Sequence, residues 1–576
     1  MRDRFGHWLS VWVFIAYLLP NHYPPWLSAH QEWAMAGAFL PICAWALWQT
    51  DKKLTVPWVS VLAWGLAAIA LAQAAIGKIF FAGDGAMAAL FLSGFAIVAL
   101  AGSCFACSEA ATPSVRPSFS GMWSAIVLAC IVSMGIALHQ WLDVQLLGLF
   151  IIDLPAQGRI FANLAQPNHF ATLLLLGITG CLYLYEVRHA SAAVALSAAL
   201  FFAFGLAMTG SRSVLLAVCW FWLIYAVMRK RCALRLSLGS AIAVTAFYLV
   251  CVFAWQSLNE LLLVATDAKN TVDRLADGSV RTIYWRSMVD AIAAAPWWGY
   301  GWGQIQLAQQ TVALAHAPTF NSFDSSHNLA LDLMLWNGIP AGLTATLLIT
   351  AWFVQQIRNI RQPLAWCLLL GVGCVFTHAL VEYPLSYAYF LLPVGFWMGA
   401  LSATPGVWLG TWAVSSYAVP ARTAVAVIAS GTFVFFAWAS VDYPSLEADW
   451  ARMRFEEQGY GKGGAQTDDG PMLLSQVSKL IGASRIEVKP GMSAKQLEQL
   501  KHVAQRYGYA SVLYRHALAQ GLNNNRDGAV RTLQLLCSMH ERRSCLEARK
   551  DWSALSQSQW PQLRQIPFPL PASTTG

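Results

Sequence analysis

Apolar residues run along this chain in unbroken blocks separated by short polar stretches. The blocks are about 17 to 22 residues long, close to what a helix needs to cross the hydrocarbon core of a bilayer. They lie near 8–20, 33–49, 55–75, 86–104, 121–139, 167–186, 191–209, 212–228, 236–254, 329–354, 363–381, 387–402 and 421–440. The pattern predicts an all-α polytopic membrane protein of about 13 transmembrane helices. The stretch 403–420, less apolar and broken by Gly and Pro, is expected to form a cytoplasmic loop or a re-entrant segment.

Basic residues test that count. With the N-terminus inside, the cytoplasmic segments carry Arg2 and Arg4, Lys52 and Lys53, Arg116, Arg188, Arg229-Lys230-Arg231 with Arg235, Arg358 and Arg361, and Arg422. The short external loops carry only Lys78, Arg159 and Arg212, the alternation that the positive-inside rule expects. The opening Met1-Arg-Asp-Arg and the apolar run Trp8 to Leu19 resemble a signal peptide. Pro20-Asn-His-Tyr-Pro-Pro-Trp26 follows where a small-residue cleavage site would stand, so the first block is expected to be an uncleaved span.

Two segments leave the bilayer. Residues 255–328 form a long external loop, and residues 441–576 a polar tail that an odd number of spans places on the same side. The expected organisation is a membrane domain over 1–440 and an external helical domain over 441–576. Within the tail, Tyr507 to Leu522 and Asp527 to His540 pattern as paired amphipathic helices around an Asn-rich turn, like one tetratricopeptide unit. A single unit cannot stack on itself, so docking on the loop or on a partner is expected.

Composition agrees with this picture. The chain is 57% hydrophobic and 11% charged, against roughly 25% charged for a soluble domain, which leaves too little polar surface for a water-soluble fold. The net charge of +8 reflects membrane topology, and no nucleic-acid partner is expected. Ten of the twelve cysteines lie in or beside apolar blocks, where a thiol behaves as a small hydrophobe. Cys104 and Cys107 form a lone CxxC, for which a bystander reading outweighs metal or redox chemistry. Cys537 and Cys545 are open to two readings, a disulfide that needs a helix break between them or an unpaired set of thiols.

The chemistry-bearing groups gather at external helix ends. Arg212, in Thr209-Gly-Ser-Arg-Ser, is either a snorkelling arginine or a fixed donor fork for phosphate oxygens. Arg281 and Arg286 lie on an expected helix ending at Pro296, followed by Pro296-Trp-Trp-Gly-Tyr-Gly-Trp-Gly, whose aromatics suit either sugar stacking or the membrane interface. His327 opens the tenth span in Asp324-Ser-Ser-His, with Asp324 a candidate to orient it. Asp332 lies more than a turn into that apolar helix, so it needs a cavity or a partner; the alternative is a structural hydrogen bond between helices. Gln166-Pro-Asn-His169 begins the sixth span, and His378 with Glu382-Tyr-Pro384 closes the eleventh.

Ser325-Ser-His-Asn-Leu with Trp336-Asn-Gly-Ile-Pro, Arg281 with Trp285, and the Gly-Ser-Arg turn at Arg212 together resemble the O-antigen ligase and polymerase superfamily over residues 160–400. Pro20-Asn-His-Tyr-Pro-Pro-Trp26, Gln166-Pro-Asn-His169, Glu382-Tyr-Pro384 and the helical tail are most similar to the PglL-type O-oligosaccharyltransferases, the pilin glycosylases of Gram-negative bacteria. The resemblance implies an inner-membrane enzyme and a donor oligosaccharide carried on undecaprenyl pyrophosphate. It implies acceptors that are Ser or Thr hydroxyls of pilin or other exported proteins, and no cofactor or metal. It assigns catalysis to His327, Arg212 and Arg281, and substrate contacts to Gln166 and Tyr383, with Tyr387 and Tyr389 as competitors for the last. Asp332 and Arg286 join the substrate-binding candidates on their placement. Gln166, Arg212, Arg281, His327 and Tyr383 are then expected to face one external cavity, with His327 either a general base or a phosphate binder. Rival expectations are glycan polymerisation or transfer of glycan to lipid A core by the same site and, from another class, transport of a lipid-linked glycan.

Overall fold

The computed structural model describes residues 2–48, 54–110, 117–144, 148, 150–154, 158–264, 280–403, 410–414, 419–460 and 473–569. The topology markers Lys52, Lys53 and Arg116 fall outside these residues, as do 265–279 of the long loop, 404–409 and 415–418 of the Gly/Pro-broken stretch, and 461–472 and 570–576 of the tail.

Every predicted apolar block coincides with a helix: α1 (Arg2–Leu18), α2 (Ala29–Trp48), α3 (Trp58–Ala75), α4 (Ala82–Ala110), α5 (Pro117–Trp141), α6 (Pro167–Glu186), α7 (Ala192–Met208), α8 (Ser213–Met228), α9 (Leu238–Leu261), α12 (Leu329–Asn359), α13 (Pro363–Ala379), α14 (Ala388–Ser402) and α15 (Val419–Glu457). Between α9 and α12 the long loop contributes α10 (Val280–Ala294) and α11 (Ile305–Val312). By length and composition, α3 to α6, α9, α12 and α15 suffice to cross a membrane, and α1, α7, α8, α13 and α14 carry shorter apolar stretches. The protein is an all-α polytopic membrane protein. Its small departure, among the described residues, is a ribbon in which Leu54–Pro57 pairs antiparallel with Thr411–Val414, so part of the stretch expected as a loop is a strand. α15 also runs on to Glu457, past the end of its apolar block. Hydrophobicity marks where that helix leaves the bilayer, not where it stops.

The chain divides into two compact units, one of residues 1–65, 91–278 and 348–433, the other of 66–90, 279–347 and 434–576. The first buries a continuous apolar core in which Trp123 and Trp397 stack with centroids 4.6 Å apart. α4 and α14 approach closely within it. A Cβ on Gly399 would stand 1.8 Å from the Ala99 carbonyl oxygen, and one on Gly102 2.1 Å from that of Phe396. Small residues give van der Waals packing between spans where lipid offers no hydrophobic drive.

The second unit combines the long loop from residue 279 onward with the tail helices α16 (Ser475–Arg485), α17 (Ala494–Tyr507), α18 (Ala510–Leu522), α19 (Arg526–Met539) and α20 (Arg542–Ser558). α17 starts on a capping box, Ser493 with Gln496, and ends on Gly508 in the left-handed region. α18 and α19 form the expected helical pair. The tail packs on the loop. Gln310 of α11 donates to the Ala504 carbonyl (2.9 Å), and the Phe320 N–H to that of Ser538 (3.0 Å). Arg506 makes a bidentate pair with Asp84, both bonds 2.8 Å. Cys537 and Cys545 form a disulfide across the break between α19 and α20, where His540 is extended. Cys104 and Cys107 are not disulfide-bonded.

α12 is broken at Gly338 (φ 78°), two residues before Pro340. The break strands backbone groups that a membrane helix must satisfy, and the aromatic and glycine stretch supplies the partners. Tyr300 N–H donates to Leu335 O (2.7 Å), Gly301 N–H to Trp336 O (3.1 Å), and Ile339 N–H to Pro296 O (2.7 Å). Gly299 and Gly338 let the two backbones meet, since a Cβ on Gly299 would lie 2.4 Å from Leu335 O. Trp302 stacks on Trp336 at 4.3 Å and donates to Asn337, so it is a packing residue; Trp297 and Trp298 are the exposed members of the stretch.

Candidate active site

In the first unit the polar residues cluster at the start of α6, the turn between α7 and α8, and the end of α13. Gln166 is extended and precedes Pro167, which is suited to the first helical position because it has no N–H to leave unpaired. The Gln166 carbonyl accepts from the His169 and Phe170 N–H groups, and its side-chain oxygen is buried without a hydrogen-bond partner among the described residues. Asn168, two positions on, bridges three segments. Its amide N–H donates to Glu382 Oε1 (3.0 Å), and its amide oxygen accepts from the Ser211 hydroxyl (2.8 Å). Ser211 is fully buried and lies 2.8 Å from the Ser213 hydroxyl.

Arg212 follows Ser211 directly and stands half-buried at the N-cap of α8. The neighbouring Arg159 donates to the Thr209 and Gly210 carbonyls and so caps the end of α7. Arg159 therefore serves the turn on which Arg212 is mounted. Tyr383 follows Glu382 and stacks at 6.0 Å on Tyr387, both half-buried. Tyr389 is buried, with its hydroxyl 2.7 Å from His169 Nδ1, and His378 Nδ1 lies 2.7 Å from the Thr172 hydroxyl. Of the three competing tyrosines, Tyr389 belongs to the interior.

The N-terminal motif is tied to the same unit by structural bonds. His22 meets the Asn163 carbonyl at 2.8 Å, and burial holds its pKa below the ordinary value, with that carbonyl opposing. Trp26, Ser28 and the Ala388 N–H all donate to the buried Glu32 carboxylate.

In the second unit the centre is the turn before α12. His327 sits at φ +57°, a conformation that costs a β-carbon-bearing residue energy and is held only by its surroundings. Those surroundings are explicit. Ser325 Oγ accepts from the His327 N–H (2.9 Å) and donates to Asp332 Oδ2 (2.6 Å), while the Ser326 N–H donates to Asp332 Oδ1 (2.7 Å). Asn328 caps the helix through the Ala330 and Leu331 N–H groups. Asp332, 2% exposed, thus has both oxygens occupied by the turn one helical step away, and the hydrogen bonds are within its own segment. His327 Nδ1 lies 3.0 Å from Ser325 O, and the Phe323 ring packs edge-on to the imidazole.

α10 closes over this turn. Trp285 donates to Ser326 O (2.9 Å) and Tyr284 to Ser325 O (3.3 Å); burial pushes the Tyr284 phenol well above its usual pKa, so it remains a donor. Arg281 precedes Trp285 by four residues and shares its helix face. Arg286 is exposed and turned about 140° from Arg281. The structure thus groups Gln166, Arg212 and Tyr383 in one unit, and Arg281, His327 and Asp332 in the other. Asn168, Ser211 and Trp285 are the connecting side chains that sequence reasoning does not single out as site residues; Asn168 and Ser211 lie inside the motifs, with no signal of which groups they join.

Models of three families match the chain: protein glycosylation ligase over residues 160–185, O-antigen ligase over 197–346, and the C-terminal part of the virulence factor membrane-bound polymerases over 364–551. The first two matches cover Gln166, Arg212, Arg281, His327 and Asp332, and the third covers Glu382 and Tyr383. A general O-oligosaccharyltransferase of Acinetobacter baylyi is 31% identical over 406 residues, 68% of this chain and 69% of that protein. A ComP-specific O-oligosaccharyltransferase of the same organism is 33% identical over 280 residues, 49% of this chain and 50% of that one. Extended similarity to the first of these, over two thirds of both chains, shows that this protein belongs to the O-oligosaccharyltransferases, membrane glycosyltransferases that move an oligosaccharide from a lipid-linked donor to a protein.

Proposed function

We propose that the donor is an oligosaccharide on undecaprenyl pyrophosphate and the acceptor a Ser or Thr hydroxyl of pilin or another exported protein. Transfer takes place on the periplasmic side of the bacterial inner membrane, with the N-terminus in the cytoplasm. In this scheme the hydroxyl oxygen bonds to the anomeric carbon while the bond from that carbon to the pyrophosphate oxygen breaks. The electron pair leaves on the pyrophosphate, and the hydroxyl proton passes to His327. Because pyrophosphate is already a good leaving group, the task is to hold its growing charge and to present the hydroxyl in line. Arg212 and Arg281 do the first, each with a planar donor fork. Gln166 and Tyr383 orient donor or acceptor, and Asp332 positions the His327 turn. Arg286, exposed on another face of α10, is a further contact for the substrate in this scheme.

The observation that carries the base role is the contact of His327 Nδ1 with Ser325 O. A carbonyl can only accept, so this contact supports a neutral ring protonated at Nδ1 with Nε2 as the basic nitrogen. The test is to co-express the chain with a lipid-linked glycan and a candidate pilin in a glycosylation-deficient bacterium and weigh the pilin. A gain of one whole oligosaccharide is expected. An unmodified pilin beside extended lipopolysaccharide would replace the proposal by O-antigen ligation.

A further inference from the structure

Gln166, Arg212 and Tyr383 come from segments far apart in sequence, yet each lies within two residues of one hydrogen-bonded chain, Ser211–Asn168–Glu382. Tyr383 follows Glu382, Arg212 follows Ser211, and Gln166 precedes Asn168 by two on a rigid helix start. Ser211 and Glu382 are buried, at 0% and 6% exposure, so the chain is shielded from competing water. The donors and acceptors are also ordered. Asn168 presents its N–H to Glu382 and its oxygen to Ser211, and its amide supplies both at once.

From this geometry we infer that Asn168, Ser211 and Glu382 are positioning residues for the transfer reaction, a relay that fixes the relative placement of the three neighbouring side chains. The inference rests on the substrate roles proposed for Gln166, Arg212 and Tyr383. A displacement of about 1 Å in a catalytic constellation can cost a hundredfold in rate, and each of these side chains is one or two backbone steps from a relay atom. The relay predicts an effect on turnover rather than on folding, because it joins helix ends and adds no apolar core.

The direction of the bonds supplies the test. Asn168→Asp keeps the acceptor for Ser211 but loses the donor and sets a second carboxylate against Glu382. Glu382→Gln supplies an amide that can donate back to the carboxylate introduced at position 168, so N168D/E382Q rebuilds the relay with the bond between the two positions reversed. The measurement is the initial rate of acceptor modification by the full chain in detergent, with saturating donor, for wild type, N168D, E382Q and N168D/E382Q, beside each variant's thermal transition. N168D is expected to lower turnover about tenfold or more when Glu382 is intact and to be neutral or beneficial when combined with E382Q, a coupling that only interacting residues show. The same factor in both backgrounds overturns the relay. If N168D does not fold, Ser211→Ala decides: a loss of about threefold or more with an unchanged transition supports the relay, and the wild-type rate overturns it. Arg212→Ala run alongside separates the two claims. A fully active R212A removes the site assignment, whereas an inactive R212A with no Asn168–Glu382 coupling removes the relay alone.

Discussion

At the scale of single residues, Asp332 shows how a carboxylate is kept at a membrane boundary. Its cost is offset because one oxygen takes the Ser325 hydroxyl and the other the Ser326 N–H. That a carboxylate so placed needs a partner was legible in the sequence. Which partner was not, since the contact depends on a turn in which His327 adopts a left-handed backbone that nothing in its local sequence announces. Asp332→Ala should therefore release the His327 turn and lower turnover by about a hundredfold with a much smaller change in donor KM, while Asp332→Asn, which still accepts one bond, should lose less. Steady-state rates over donor concentration check this; equal losses in turnover for the two variants would show that the charge, not the geometry, is what matters. The Gln166-Pro-Asn-His169 motif is a similar case. Sequence marks the four residues together, and only the fold assigns the bridging work to Asn168.

Among the elements, the apolar blocks located α1 to α9 and α12 to α15, because burial in lipid and satisfaction of the backbone impose the same length. The pattern did not reveal the break in α12 or the continuation of α15 to Glu457, since a glycine inside an apolar run and a polar helix leaving the bilayer both keep helical periodicity. Nor did it separate the two uses of the aromatic and glycine stretch, whose glycines serve the crossing of its backbone with the break in α12. Gly299→Ala is expected to lower stability by about 2–4 kcal/mol, from a positive φ and a Cβ facing Leu335 O. The thermal transition of the purified full chain checks it. An unchanged transition would mean that the two segments separate readily.

For the molecule as a whole, the tail and the long loop from residue 279 share one unit, and the tail carries its own response to acid. Burial, reinforced by Lys501, lowers the His516 pKa to about 4 from an ordinary value near 6.5. Burial also lowers His502 and His540. The unfolded tail therefore takes up protons first as pH falls. The contribution of His516, fully present above about pH 6.5, is lost on the way down to about pH 4, on the order of 3 kcal/mol at most. Hydrogen exchange of the 510–522 amides in the full chain, corrected for the intrinsic pH dependence of exchange, should show protection falling over that window and falling less in His516→Leu; identical slopes would contradict it. The tail's helical pair was legible from its amphipathic pattern, but its docking through Gln310, Phe320 and Asp84 was not, because those partners lie up to 422 residues away in the chain.

The most direct test of the account is the intact mass of a purified acceptor protein after incubation with the full chain and an undecaprenyl-pyrophosphate-linked oligosaccharide. The account predicts the mass of one complete oligosaccharide added at a Ser or Thr with the wild-type chain, and none with His327→Ala. An acceptor modified to the same extent by both would contradict it.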